Sequence, residues 1–99
     1  MPAAAATIRV EFYGIARTRA GVDAVTVPLA KGSLQLGELL RLLSTDYPQL
    51  ARDCFAVENG ACLQRGYIAN IDGGRFVNDA HAVLHAGSTV LILSADAGG

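Results

Sequence analysis

The stretch Thr89-Val90-Leu91-Ile92-Leu93-Ser94, followed by Ala95-Asp96-Ala97-Gly98-Gly99, decides the fold of this 99-residue chain. Four consecutive apolar residues, flanked by Thr89 and Ser94, predict a strand that is apolar on both faces and lies in the centre of a sheet. This strand leads into a short segment of small residues that ends in two glycines. At an average glycine usage of about 7%, such an ending arises by chance in roughly one chain in two hundred. The dipeptide alone therefore assigns no function.

Length and composition predict one domain with an ordinary core. The chain has 99 residues, of which 52% are apolar, with 8 basic and 9 acidic residues. No basic block suggests a nucleic-acid groove or an anionic membrane surface. Residues 1–6 lack the features of a signal peptide and are predicted to be a disordered leader on a cytoplasmic domain. We therefore expect neither nucleic acid nor membrane as a partner.

The residues that commonly carry chemistry form no recognisable site. Cys54 and Cys62 are eight positions apart, and with His81 and His85 they match no zinc-ligand spacing, so we expect two reduced thiols and no metal. The two histidines lack a nucleophile elbow or paired acids nearby in sequence and are predicted to lie in turns. Asp72 is expected to shape a turn. The sequence therefore predicts no catalytic residue.

Two segments with alternating apolar residues open the chain and predict a hairpin. Residues 7–13 point Ile8, Val10 and Phe12 to one side, and residues 22–29 resume the alternation. Gly14 to Gly21 is predicted to be a loop whose arginines, Arg17 and Arg19, are solvated. Pro28 cannot donate a backbone hydrogen bond, so the second strand is predicted to lie at a sheet edge.

A helical period follows from Leu34 to Thr45, with Ser33 as the predicted N-cap. Leu42 widens its apolar arc, which favours burial across a sheet, and the helix must end before Pro48. Residues 49–54 allow a short helical turn, and 58–66 read as a surface loop. The later elements are a strand at 67–71, a turn, a return strand at 75–77, an irregular segment at 78–83 and a tight turn at 84–88.

The order of these elements predicts the topology. A helix long enough to cross over allows the first and last strands to pair in parallel. The predicted fold is an α+β β-grasp roll, with a mixed four- to five-stranded sheet and one main helix packed on one face. If Val90 and Ile92 lie under the helix, Leu91 and Leu93 lie on the uncovered face. Exposed apolar residues of that kind mark a partner interface.

Several short motifs occur in an order that resembles one known family. They are Phe12-Tyr13-Gly14 at the end of the first strand, Leu36-Gly37-Glu38-Leu39-Leu40 in the helix, Tyr47-Pro48 after it, the hairpin Ile71–Val77, the turn His85–Val90, and Gly98-Gly99. Over residues 7–99 the chain resembles the MoaD/ThiS family of ubiquitin-like sulfur carriers, and in particular MoaD, the small subunit of molybdopterin synthase. It departs from that pattern at Gln35, where a Thr or Ser is common, and in the turn before the last strand.

The resemblance implies a function for the tail. A partner enzyme similar to ubiquitin-activating enzymes would use ATP to adenylate the Gly99 carboxylate, which would then become a thiocarboxylate. The partner enzyme would recognise Gly98 and Ala97 as part of the extended tail. A synthase large subunit or another acceptor enzyme would then take the sulfur, and the resemblance to MoaD favours molybdopterin as the product. Residues 7–94 would form the domain and residues 95–99 a flexible tail. The chain itself would be no enzyme and would bind no cofactor.

Three alternatives use the same fold. The sulfur of the carrier could serve thiamine or another pathway. Gly99 could instead form an isopeptide bond with lysines of other proteins, as in a ubiquitin-like modifier. The chain could also be a plain β-grasp interaction domain whose terminal glycines are accidental.

Overall fold

The computed structural model describes residues 6–56 and 62–94. The elements in chain order are β1 (Thr7–Phe12), α1 (Ile15–Ala20), β2 (Ala24–Pro28), β3 (Ser33–Gln35), α2 (Leu36–Asp46), α3 (Pro48–Cys54), β4 (Phe55–Ala56), β5 (Cys62–Leu63), β6 (Tyr67–Ile71), β7 (Arg75–Val77), β8 (Val83–His85) and β9 (Thr89–Ser94). Residues 1–5 and 95–99 lie outside the described part, so the disordered leader at 1–6 and the flexible tail at 95–99 stay predictions.

The main sheet has five strands in the order β2-β1-β9-β6-β7. β1 and β9 run parallel, with Val10 opposite Val90, and the other neighbours are antiparallel. This mixed sheet, with α2 as its longest helix, confirms the predicted β-grasp architecture. Pro28 closes the edge strand β2, where its missing N–H removes no bond from the interior of the sheet.

The core lies between one face of this sheet and the helices. Val90 and Ile92 of β9 are 0% exposed, and so are Leu36, Leu39 and Leu40 of α2. Full burial of a leucine stabilises the fold by about 1.5–3 kcal/mol. The predicted leucine face of α2 is therefore confirmed, with one exception. Leu42 remains 49% exposed and lines a cavity beside the edge strand β2.

The start of α2 differs from the prediction. Ser33 is not the N-cap, because Ser33–Gln35 forms β3 and pairs with β8, where Ser33 lies opposite His85. Gln35 is the N-cap, and its backbone N–H donates to Glu38 Oε1 at 2.9 Å. The same pairing makes Val83–His85 a strand, whereas the sequence predicted an irregular segment and a turn. Two three-residue strands far apart in sequence leave no visible period.

The predicted loop from Gly14 to Gly21 contains the helix α1. Its two glycines have positive φ angles, 61° at Gly14 and 78° at Gly21, and the Gly21 N–H closes the helix on Arg17 O at 2.9 Å. Ala16 packs fully buried against the core. Arg19 forms an ion pair of 2.6 Å with Asp53 of α3, so it links two helices instead of being only solvated.

The segment after α2 is more ordered than predicted. Tyr47 ends α2 with an extended φ of −131°, and Pro48 then begins α3. Within the predicted loop 58–66, residues 58–61 lie outside the described part, but Cys62–Leu63 pairs with β4. Gln64 Nε2 donates to the carbonyls of Arg52 and Phe55 at 3.0 and 2.9 Å. These bonds anchor the segment to α3.

Candidate functional site

The strand β9 is the base of the candidate site. It pairs with β1 from Thr89 to Ile92 and with β6 from Val90 to Ser94, which lies opposite Tyr67. Residues 95–99 follow directly in sequence. Ala97, Gly98 and Gly99, predicted as the recognised and modified residues, lie outside the described part of the chain. The structure therefore fixes where the tail begins and leaves these three residues as predictions.

The two faces of β9 are divided as expected. Val90 and Ile92 are fully buried, whereas Leu91 and Leu93 are only half-buried on the opposite face, which no helix of the described residues covers. On β6, Leu91 lies opposite Asn70 and Leu93 opposite Ile68. The role of Leu91 and Leu93 in binding a partner stays a prediction.

Further apolar side chains occupy the same face. Phe76 of β7 lies opposite Asn70 and is 61% exposed. Tyr13 donates its N–H to Ile92 O at 3.1 Å, which brings it beside Leu93, and it is 43% exposed. We call the set Tyr13, Ile68, Phe76, Leu91 and Leu93 the open-face patch. Tyr13, Ile68 and Phe76 were not predicted to lie on this surface, although the two-residue period of β6 and β7 indicates it for Ile68 and Phe76.

A charged group borders the patch on β1. Glu11, opposite Leu91, accepts hydrogen bonds from Arg9 Nε at 2.8 Å and from the Tyr13 hydroxyl at 2.6 Å. The bond from Tyr13, and then that from Arg9, lower the pKa of Glu11 below its ordinary value of 4.5. The same bond raises the pKa of Tyr13 above 10.0. The patch therefore has an apolar centre and a polar rim, the usual composition of a protein interface.

Asn70 is a polar residue inside this apolar surface. It is 5% exposed, and its Oδ1 atom has no hydrogen-bond partner among the described residues. An unsatisfied buried acceptor costs about 1–3 kcal/mol. Asn70 lies opposite both Leu91 and Phe76, so a buried polar side chain sits between these two apolar residues of the open face.

The other candidate residues do not assemble into a site. Cys54 and Cys62 are free thiols, and burial is the main cause that raises the pKa of Cys54. His81 and His85 are exposed, and His81 Nδ1 lies 3.4 Å from Gln35 Oε1. Within residues 6–56 and 62–94, no group of three or more potential ligands could hold a metal ion. In the same ranges, no helix is long and apolar enough to cross a membrane.

Comparison with known proteins gives structural likeness without close sequence likeness. No protein-family model matches the chain, and no curated protein matches it in sequence. SAMP1 from Haloferax volcanii superposes with a TM-score of 0.75 at 19% identity, over 94% of this chain and 99% of that one. A putative molybdopterin converting factor, subunit 1, from Pyrococcus furiosus gives 0.69 at 18% identity, over 90% and 97%. Urm1 from Trypanosoma brucei gives 0.70 at 22% identity, over 99% and 100%.

These neighbours fit the resemblance to the MoaD/ThiS family that the sequence motifs indicate. Their coverage of almost the whole chain shows that the likeness extends to the complete domain and is not limited to the sheet. At these identities the likeness establishes the fold. The chain has the ubiquitin-like β-grasp fold that these small modifier and converting-factor proteins share.

Proposed function

We propose that the chain is a ubiquitin-like sulfur carrier and that Gly99, the last residue of the sequence, carries the sulfur. In this proposal a partner of the ubiquitin-activating type adenylates the Gly99 carboxylate with ATP and releases pyrophosphate. Sulfide then attacks the carbonyl carbon and AMP leaves, which gives a thiocarboxylate. An α-carboxylate has a pKa of about 3.3–3.7, so it is ionised and nucleophilic at neutral pH. This chain supplies the substrate, and its partner supplies ATP and the catalytic groups.

The continuity of β9 with the tail carries the proposal. β9 is paired with β1 up to Ile92 and with β6 up to Ser94, and residues 95–99 complete the given sequence. Fully extended, five residues reach about 17 Å. An enzyme that acts on Gly99 must therefore lie against the domain itself. Because Leu91 and Leu93 lie on the same strand, we infer that the open-face patch belongs to that contact.

Small residues in the tail suit the same step. Gly98 and Gly99 have no Cβ, and Ala97 has only one methyl group, so an extended tail of these residues fits a narrow channel. Ordering the tail in such a channel costs conformational entropy. A broad contact at the open-face patch would offset that cost.

For the acceptor we propose the precursor of molybdopterin, with a synthase large subunit as the partner that receives the tail. Support comes from the sequence motifs and from a structural neighbour described as a putative molybdopterin converting factor, subunit 1. Thiamine or another sulfur-requiring pathway would use the same tail chemistry. We propose that the protein acts in the cytoplasm, together with these partners.

A second candidate function is conjugation to proteins. It is favoured by the structural likeness to a small archaeal modifier protein from Methanosarcina acetivorans, with a TM-score of 0.71 at 19% identity. In this case a lysine amine attacks the Gly99 adenylate, AMP leaves, and an isopeptide bond forms. Both candidate functions share the activation step and differ in the nucleophile.

One reconstitution separates the two functions. The protein is incubated with a ubiquitin-activating-like enzyme, ATP and sulfide, and the products are analysed by intact mass and by denaturing gel. Replacement of one oxygen by one sulfur supports the carrier, and a ladder of conjugates supports the modifier. Absence of both products, with an activating enzyme shown to be active on its own carrier, would leave a plain interaction domain.

A further inference from the structure

A cavity of ≈ 300 Å³ lies away from the open-face patch, between the edge strand β2 and the helix α2. On the strand side it is lined by Val25 to Pro28, and on the helix side by Leu42, Leu43, Thr45 and Asp46. Leu42, at 49% exposure, forms its outer wall. The walls are mostly apolar. The cavity is thus a groove that runs along the outer edge of β2, which has no second partner strand among the described residues.

The backbone of β2 directs toward this groove hydrogen-bonding groups that have no partner within residues 6–56 and 62–94. Phe12 N–H donates to Asp23 O at 2.9 Å and Leu29 N–H donates to Ala6 O at 2.8 Å, which fixes the phase of the β1–β2 ladder. In an antiparallel ladder the bonded positions alternate, so Val25 and Val27 bond to β1. Ala24 and Thr26 therefore point their N–H and C=O groups outward, at the sheet edge.

The lining of the cavity agrees with this phase. Side chains alternate between faces along a strand, so those of Val25 and Val27 point toward α2 and those of Thr26 and Pro28 point away from it. Thr26 and Pro28 therefore line the cavity with backbone atoms at the edge of the strand and not with their side chains. The groove combines apolar walls with backbone donors and acceptors at Ala24 and Thr26 that have no partner in the described part of the chain. That combination is what a strand added to a sheet edge requires.

A negative charge at one end of the groove favours an occupant with a cationic side chain at that position. Asp46 is the last residue of α2, and the last turn of α2 contains no basic residue. A carboxylate at a helix C-terminus adds to the negative end of the helix dipole. Asp46 takes part in none of the ion pairs within the described residues. A cationic side chain would therefore be attracted both by Asp46 and by the end of α2.

We propose that this groove binds an extended segment of a partner protein, which adds to β2 as a sixth strand. The segment has apolar side chains at alternate positions, which point into the groove, and a lysine or arginine beside Asp46. A second copy of this chain fits less well, because both paired β2 strands would then lack the Pro28 N–H, and the segment Ala24–Pro28 contains no cation to lie beside Asp46. This surface does not involve the tail, so the inference is independent of the proposed sulfur chemistry.

In the test, the outward amides of β2 report binding, and the inward amides, which are bonded to β1, serve as internal controls. The ¹⁵N-labelled protein is titrated with a blocked peptide in which one lysine precedes valines that alternate with threonines. Hydrogen exchange at the Ala24 and Thr26 amides should slow by about tenfold or more, because these N–H groups gain acceptors. Exchange at Val25 and Val27, already bonded to β1, should not change. A peptide with glutamate in place of lysine should bind at least about tenfold more weakly, or about 1.4 kcal/mol.

Two variant pairs examine the backbone and the groove separately. Thr26→Pro removes one outward N–H without breaking a bond to β1 and should abolish binding, whereas Thr26→Val should keep it. Leu42→Glu should abolish binding by placing a charge in the outer wall, whereas Leu91→Glu on the open face should keep it. Well-dispersed amide spectra would confirm that each variant is folded.

Three results would overturn the proposal. The first is no slowing at Ala24 and Thr26 at millimolar peptide. The second is a response to the peptide confined to the open face. The third is protection of Ala24 and Thr26 without peptide that grows with protein concentration together with a doubled mass in sedimentation, since a second copy would then occupy the edge.

Discussion

Asp72 clamps the start of β9 through Thr89. The backbone N–H of Asp72 donates to Thr89 O at 2.8 Å, and the Thr89 N–H donates to Asp72 Oδ1 at 2.8 Å. The Ser88 hydroxyl adds a bond of 3.2 Å to Asp72 Oδ2. Asp72 has a φ of 56°, which makes it the non-glycine residue with a positive φ in the described part of the chain. The turn between β6 and β7 thus fixes the strand from which the tail extends.

Replacement of Asp72 by alanine should destabilise the domain by about 1–3 kcal/mol, because the Thr89 amide loses its charged acceptor and alanine tolerates a positive φ poorly. Asp72→Gly removes the same acceptor but relieves the backbone strain, so it should cost less. Asp72→Asn retains an acceptor oxygen and should cost least. Urea unfolding of the three variants measures these differences. Equal losses for alanine and glycine would show that φ strain has no effect here.

Two leucines of α2 provide a matched test of the core. Leu40→Ala should destabilise the domain by about 2–5 kcal/mol, since Leu40 is 0% exposed and its removal leaves a cavity. Leu42→Ala, two positions on and 49% exposed, should change stability by no more than about 0.5 kcal/mol. Thermal or urea unfolding distinguishes them. A similar loss for both variants would mean that Leu42 is covered.

The rim beside the patch predicts a pH dependence. Hydrogen bonds, first from Tyr13 and then from Arg9, hold the pKa of Glu11 below 4.5. A carboxyl group whose pKa is depressed by folding stabilises the protein above its unfolded pKa, and this contribution is lost as pH falls through the folded pKa. The loss therefore lies below about pH 4.5.

Tyr13→Phe removes the largest cause of this shift. The pKa of Glu11, followed through its side-chain carboxyl resonance, should rise toward its ordinary value in the variant. The stability difference between wild type and variant should shrink as the solution is acidified. An unchanged Glu11 titration would show that the Tyr13–Glu11 bond does not persist in solution.

A charge on the open-face patch should weaken partner binding without unfolding the domain. Leu91→Glu or Leu93→Glu should reduce affinity for the activating enzyme by about tenfold or more, since it buries an unpaired charge in the interface. Val83→Glu, at an equally apolar position that is 43% exposed on β8, is the matched control and should have little effect. Calorimetric titration measures the affinities. Unfolding of the Leu91 variant would show that this face is buried.

Alternation and the helical period predict most of this fold because each of the long elements has one buried face. Ile8, Val10 and Phe12 alternate with polar residues, and the leucines of α2 recur at helical spacing. The burial of these side chains can therefore be predicted from the neighbouring residues in the sequence. The parallel pairing of β1 with β9 follows from the length of the crossover. Pro28 identifies the edge because it has no N–H.

The remaining elements depend on partners that are distant in sequence or too short to show a period. The six residues of α1 bury only Ala16 and depend on two glycine caps, so the segment looks like a loop. β3 and β8 form by pairing with each other, and their opposed residues, such as Ser33 and His85, are about fifty positions apart in sequence. The full open-face patch could be predicted only once the register of β6 against β9 was known. Gln35, not Ser33, caps α2 because the pairing of β3 with β8 places Ser33 in a strand.

The most direct test of the central claim is the mass of the C-terminal fragment after activation. Wild type and a variant without Gly98 and Gly99 are each incubated with the activating enzyme, ATP and sulfide, and fragmented in the mass spectrometer. We expect one oxygen to be replaced by sulfur in the fragment that contains Gly99, no change in the shortened variant, and equal urea midpoints for the two proteins. A sulfur found elsewhere in the chain, or an equal mass gain in the shortened variant, would contradict the assignment of Gly99 as the sulfur-carrying residue.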